Sequence, residues 1–163
     1  MMNGKETKIP KNLVVIRDTS TWIAQFGKDS NITLEDFKLF WEDSKLPKVF
    51  YDVKPVYLAL RQKGLKLVGV KEDTILISYL LQPNRNNHLL DEMAVAFLEE
   101  IPLEVSQRCA ASSRIFSSLE PQLEQFDLNR VYREIDLPLV EVLAELEWNG
   151  IQIDVPLLDQ MSL

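Results

Sequence analysis

One stretch near the end of this 163-residue chain leaves little freedom in how it folds: EIDLPLVEVLAELEWNGIQID, residues 134–154. Asp136 is placed to cap a helix, and Pro138 falls in the first turn, where a missing N–H costs little. Leu139, Val142, Leu143 and Leu146 recur at i, i+3, i+4 and i+7, the spacing of one apolar helical face. That stripe is expected to pack on the body of the protein. Asn149-Gly150 stops the helix, because glycine accepts a left-handed cap. Ile151 and Ile153 then alternate as in a short strand, and Asp154 with Pro156 opens another helix.

Upstream, residues 13–16 and 22–26 are β-rich runs on either side of Asp18-Thr19-Ser20 and read as a hairpin. Thr33 is placed to cap a helix running to about residue 43. Its Phe37, Phe40 and Trp41 are expected to fill a core rather than stack on bases. A buried strand over 48–51, a helix over 55–63 ending near Gly64 and a strand over 65–70 follow. Asp73 caps an apolar helix, DTILISYLL, that ends before Pro83. A turn-rich NRNN segment leads to a helix over 89–99, and the chain beyond Pro102 reads as helical with a break near Asp127. Strands alternating with helices, then helices alone, indicate an α/β domain with a mixed β-sheet flanked by helices.

At 46% hydrophobic, the chain can bury one core. No apolar run approaches the roughly 18 residues of a membrane span, and the polar start MMNGKETKIPKN lacks the apolar centre of a secretory signal. A single cysteine, Cys109, makes no internal disulfide, which suits a reducing cytoplasm, the expected location. The net charge of −7 is unevenly placed: seven of the 25 acids and none of the 18 bases lie beyond residue 133, leaving the rest balanced. A balanced body is a poor basis for strong phosphate binding.

The succession over 134–154 resembles the segment of family A DNA polymerases, the bacterial DNA polymerase I type, where the 3′–5′ exonuclease domain hands over to the polymerase thumb. The run KVFYDVKPVYLALRQKGLKLVGVKEDTILISYLLQP, residues 48–83, is similar to the exonuclease segment of that family, and HLLDEMAVAFL to the helix after it. The resemblance extends from about Asn31 to Leu163 and is weak before Leu13. It implies a ribonuclease H-like 3′–5′ exonuclease fold, with a leader over 1–12, an exonuclease-like domain over 13–133, and a linker helix with the truncated start of a thumb over 134–163.

The resemblance also implies where the chemistry of such a domain sits. These exonucleases hydrolyse the 3′-terminal phosphodiester with two divalent metals, and hard cations such as Mg²⁺ need carboxylate oxygens. The family carries an Asp-x-Glu pair, an Asn-x-x-x-Asp motif and a Tyr-x-x-x-Asp motif. Laid on this chain, the second motif puts Asp52 at the Asn and Val56 at the metal-binding Asp. The third falls on residues 108–113, so Cys109 replaces the Tyr that orients the attacking water and Ser113 replaces the Asp. For the first motif two readings stand: Asp18-Thr19-Ser20 is an Asp-Thr-Glu that has lost its Glu, or residues 13–26 are the hairpin after the motif. Either way the carboxylate pair is broken. The interval from Leu98 to Arg108 is also short for the family, beside its single-strand cleft.

No catalytic, cofactor-binding or metal-ligating residue is therefore expected, and no cofactor, with Mg²⁺ confined to the ancestral site and the parent polymerase. The expected role is a vestigial, inactive exonuclease-like domain serving as a structural platform in a DNA polymerase I of replication and repair. Its partner is the remainder of the polymerase chain; DNA is engaged through the parent enzyme and only weakly by this chain, and no membrane is involved. Two alternatives stay open: an active metal-dependent proofreading exonuclease with atypical ligands, and a free-standing protein- or DNA-binding adaptor. The other polar groups have structural readings. Asp73 is an N-cap, Asp52 a turn acid, His88 a capping or surface residue, and Cys109 a small packing residue. Arg61, Lys63, Lys66, Arg108 and Arg114 belong to solvated faces, as do Glu141 and Glu145.

Overall fold

A computed structural model describes residues 12–17, 20–25, 31–150, 152 and 155–161. Strands β1 (Asn12–Arg17) and β2 (Ser20–Gln25) pair antiparallel from Asn12↔Gln25 to Arg17↔Ser20. The hairpin expected there is found, while Asp18 and Thr19 lie outside the described residues, as do the leader before Asn12 and the strand expected around Ile151 and Ile153. A 3₁₀ turn (Glu35–Phe37) leads into α1 (Lys38–Trp41). This helix is shorter than expected and has no cap from Thr33. Instead the Thr33 N–H and hydroxyl both donate to Asp36 Oδ2, at 2.8 and 2.9 Å, which ties a turn rather than a helix start.

Strand β3 (Lys48–Phe50) pairs parallel with β4 (Val70–Asp73), and α2 (Lys54–Gln62) crosses between them. Both strand orientations of the expected mixed sheet are present, divided between two two-stranded sheets. Helix α2 ends as its sequence demands: Gly64 is left-handed at φ +69°, and the N–H groups of Gly64 and Leu65 return to the carbonyls of Arg61 and Leu60. The strand expected over 65–70 is displaced to 70–73. Gly69, at φ +74°, turns the chain beside residues 43–46, and Val68 donates to the Trp41 carbonyl instead of a strand partner. The buried Lys48 ammonium fixes this crossing by donating to the carbonyls of Asp43, Leu46 and Val68 at 2.8, 3.0 and 2.8 Å.

Helices α3 (Thr74–Leu81), α4 (Leu90–Leu98) and α5 (Val105–Gln125) lie where the sequence puts them. Helix α5 ends in a left-handed Asp127, the expected break, with Leu128 N–H donating to the Leu123 carbonyl at 2.7 Å. Two apolar clusters result. One joins Ile77, Met93, Ile115, Leu119 and Leu123 around Tyr132; the other joins Leu34, Trp41, Val53, Leu60 and Val140. Phe37 and Phe40 pack against the second cluster, as expected of core aromatics, and Leu76 touches both.

The end of the chain departs from its sequence reading. Asp136 is helical and caps nothing; α6 (Asn129–Val131), a π turn (Tyr132–Asp136) and α7 (Leu137–Asn149) form one continuous helix. The boundary expected after residue 133 falls inside it. Pro138 cannot donate to the Glu134 carbonyl one turn back, and the backbone widens just before it. The widening explains why the stripe of Leu139, Val142, Leu143 and Leu146 is exposed while Val140 and Ala144 are buried. Counted from Tyr132 at about 100° per residue, an uninterrupted α-helix would turn Leu139, Leu143 and Leu146 toward the side of Tyr132. The π turn slips the phase by about one residue and brings Val140 and Ala144 there instead. Helix α7 thus packs on α2, with Lys54–Glu147 at 3.0 Å and an Arg61–Glu145 pair at the margins. Beyond Gly150, α8 (Val155–Met161) forms the helix expected from Pro156.

The two turn glycines separate backbone strain from crowding. A Cβ on Gly64 meets nothing within 4 Å, whereas on Gly69 it would lie 2.8 Å from the Leu46 carbonyl oxygen. Gly64→Ala is expected to cost about 1 kcal/mol, and Gly69→Ala about 3 kcal/mol or more. Urea melts of the two variants check the order, and a Gly69→Ala loss no larger than that of Gly64→Ala would contradict it.

Candidate functional site

The two described sequence motifs meet at the dipeptide Asp73-Thr74, where β4 becomes α3. Asp73 caps α3 as expected: its Oδ1 accepts from the N–H groups of Ile75 and Leu76, at 3.0 and 3.4 Å. Its Oδ2 accepts from Val53 N–H at 2.8 Å, which fixes the entry of α2 three residues before Val56. Thr74 Oγ1 lies 2.9 Å from Ser112 Oγ and donates to the Ser112 carbonyl at 3.2 Å, holding α5 one residue before Ser113. The positions implied for the second and third motifs are therefore anchored to neighbouring residues.

Around this node the side chains fall out as follows. Val56 is half-buried against the Trp41 cluster. Cys109 is half-buried on α5, and burial pushes its thiol above the ordinary range, away from a reactive thiolate. Ser113 is exposed on the same helix. Asp52 is half-buried, with burial raising its carboxyl. Burial pushes Asp73 up to about 7 against the pull of its N–H donors. Among the described residues, no group of three or more His, Cys, Asp or Glu side chains is placed to hold a metal ion.

Tyr132 was not singled out by its sequence, although Leu128 and Tyr132 at i, i+4 mark an inward pair. Its hydroxyl accepts from Asp73 N–H at 2.9 Å and lies 3.2 Å from the Asp73 carbonyl, so the π turn is tied directly to the node. Glu72 and Arg133 close the same junction: buried Glu72 lies 3.4 Å from Arg133, which also holds Glu120 at 2.8 Å. His88 corrects its surface reading. It is buried, with Nδ1 2.7 Å from Ser78 Oγ, its ring against Tyr79 and its carbonyl accepting from Tyr51. Its burial against Ser78, Tyr79 and Tyr51 was not readable from the polar turn around it. The basic side chains read as solvated are mostly matched: Arg61 with Glu145, Lys63 with Glu35, Arg108 with Asp91 and Arg114 with Glu100.

A parallel strand pair crossed by α2, with α3 and α5 joined at the Asp73-Thr74 strand end, defines a small α/β domain. The model of the DNA polymerase I, ribonuclease H-like domain matches residues 7–100, more than half of the chain, and the chain belongs to that family. It is 31% identical over 140 residues to the DNA polymerase I of a Synechocystis strain, an alignment covering 71% of this chain and 14% of that protein. It is 25% identical over 170 residues to the Bacillus subtilis DNA polymerase I, covering 91% and 19%. A solved structure described as the POL domain of Pol1 from M. smegmatis in complex with DNA primer-template and dNTP superposes with a TM-score of 0.73 at 28% identity. That match covers 86% of this chain and 25% of the other. The chain thus spans less than a fifth of the length of these two curated relatives. No helix among the described residues is long and apolar enough to cross a membrane.

Two outcomes are expected at the node. Tyr132→Phe leaves the buried Asp73 N–H without its acceptor and should cost about 1–3 kcal/mol in urea melts. The folded Asp73 carboxyl keeps its proton up to about 7, whereas the unfolded chain loses it near the ordinary 3.8. The contribution of Asp73 to stability is therefore largest in acid and is lost as pH rises from about 4 through about 7. Asp73→Asn removes this slope, so stabilities measured at about pH 5 and about pH 8 should differ less in the variant than in the parent.

Proposed function

We propose that this chain is a nuclease-inactive exonuclease-like domain that serves as a structural platform within a DNA polymerase I of replication and repair. One observation carries the reading: the positions implied for the second and third motif acids, held beside Asp73-Thr74, carry Val56 and Ser113. Valine has no lone pair and a serine hydroxyl no charge, whereas a two-metal site needs several carboxylate oxygens. Asp73 does not replace them: it is buried, its oxygens accept backbone N–H groups, and among the described residues it belongs to no group of three His, Cys, Asp or Glu placed for a metal. Among the described residues, the donors do not fit a pair of divalent cations. The platform role is supported by the continuous helix 129–149, which starts at the Asp73–Tyr132 junction and packs along α2.

Incubating the chain with 5′-labelled single-stranded DNA and Mg²⁺ or Mn²⁺ should give no shortening above a mock purification. Val56→Asp with Ser113→Asp should not restore activity, since the first carboxylate pair and the Tyr at Cys109 would still be missing. Trimming of the 3′ end by the parent chain defeats the reading, and trimming by the double variant alone would mean that another acid, such as Asp18 or Asp52, holds a metal.

Affinity for DNA should also be low. Residues 134–163 contribute seven acids and no base, and most arginines of the body are paired with carboxylates, so few counterions are released on binding. Single-stranded DNA should bind no tighter than about 10⁻⁴ to 10⁻⁶ M at physiological salt. Nanomolar binding in a salt-titrated anisotropy measurement would favour the adaptor alternative.

A further inference from the structure

Helix α7 ends on Asn149-Gly150, and both residues are exposed. A Cβ built on Gly150 would meet nothing within 4 Å, so this peptide link opens on solvent. Asparagine before glycine has a chemistry of its own. The backbone nitrogen of the next residue can attack the side-chain carbonyl, and glycine offers no side chain to hinder its approach. The closed helix opposes that attack: Gly150 N–H donates to the Leu146 carbonyl at 3.0 Å, and Asn149 Nδ2 donates to Glu145 Oε1 at 3.1 Å. Yet little holds the last turn. Ala144 is the last buried residue of α7, and residues 145–150 are all exposed. The ties from this turn to α2 lie at the surface: Arg61 pairs with Glu145 and sits 5.3 Å over the Trp148 ring, and Lys54 meets Glu147 at 3.0 Å. Contacts of this kind are weak, and helix ends open at low cost.

We propose that Asn149 is a site of spontaneous succinimide formation, closed while Arg61 and Lys54 hold the last turn of α7 to α2 and reactive when that turn opens. In the open turn the Gly150 amide gives its proton to hydroxide, and its nitrogen bonds to Asn149 Cγ. The Cγ–Nδ2 bond then breaks, and Nδ2 takes a proton from water and leaves as ammonia, which returns the hydroxide. A second water opens the ring. Its addition at Cγ leaves an ordinary aspartate, whereas addition at the backbone carbonyl leaves an isoaspartate, in which the main chain runs through the side chain. Either product puts a carboxylate one turn from Glu145, at the negative end of the helix dipole, so the turn closes less well than before. The modification therefore acts in one direction, loosening the end of α7 each time it occurs.

The test incubates the full chain at neutral pH beside a peptide of residues 145–153, which is too short to hold a helix. Mass spectrometry of digests follows the change from amide to acid at Asn149, and labelling by an isoaspartate methyltransferase measures the isoaspartate formed. Asn3-Gly4, the other such dipeptide of the sequence, is read separately in its own digest fragment. The full chain should react about tenfold more slowly than the peptide, because only its opened fraction is reactive. Arg61→Ala should bring the rate severalfold closer to that of the peptide while the circular dichroism of the chain stays that of the parent. Lys54→Ala removes the second tie from an exposed position and should accelerate the reaction in the same direction, which keeps the test open if Arg61→Ala fails to fold. A chain left unchanged at Asn149 while the peptide is consumed overturns the proposal, as does a chain that reacts as fast as the peptide. Folded variants that react at the parent rate overturn it too.

Discussion

The carboxylate of Asp73 accepts N–H groups from Val53, twenty residues upstream, and from Ile75 and Leu76 in its own helix. Its backbone N–H reaches Tyr132, 59 residues downstream. A buried group satisfied in this way is hard to replace, since each broken bond strands a partner that water cannot reach. The parallel strand pair, the entries of α2 and α3, and the start of the terminal helix are all referred to this residue. The Thr74–Ser112 contact adds α5. The segments that carry the positions implied for the second and third motifs are thus held by hydrogen bonds that involve neither Val56 nor Ser113.

That separation explains how Val56 and Ser113 are accommodated. Val56 adds hydrocarbon to the cluster around Trp41 and Leu60, where an aspartate would have to be desolvated. Ser113 faces solvent one residue from the buried Ser112 contact, so its identity is not constrained by packing. On the proposed reading, the scaffold bonds and the metal chemistry occupy different atoms, and losing the second leaves the first intact.

Much of this arrangement was legible in the sequence because the signals were local. Asp73 before an apolar helix, Gly64 after α2 and the break at Asp127 each follow from the chemistry of one or two residues, and all three stand in the structure. Readings that depended on distant partners went astray. His88 sits in a polar run, yet tertiary packing buries it against Ser78 and Tyr79. Lys48 gives no sign in sequence that its ammonium will bind three carbonyls, two of them in the loop just before it and one twenty residues on. The strand expected over 65–70 failed at Gly69, whose positive φ belongs to a crossing with residues 43–46 rather than to a ladder. Within the candidate site, the motif positions came from family resemblance, while the node holding them became visible only once β4, α2, α5 and the π turn were in place.

The reading of α7 failed for a different reason: its periodicity was right and its phase was wrong. Five residues, Tyr132–Asp136, turn more loosely than the helices on either side, and that local widening decides which leucines meet solvent and which side chains meet α2. Loss of a single residue from this turn would act as a rotation of about 100° on everything after it. It would present Val140 and Ala144 outward and carry the leucines in. For comparisons among related chains, a one-residue gap at this position is therefore not a small difference in length. It turns the helix by more than a quarter of a revolution, and residues aligned across it meet different surroundings.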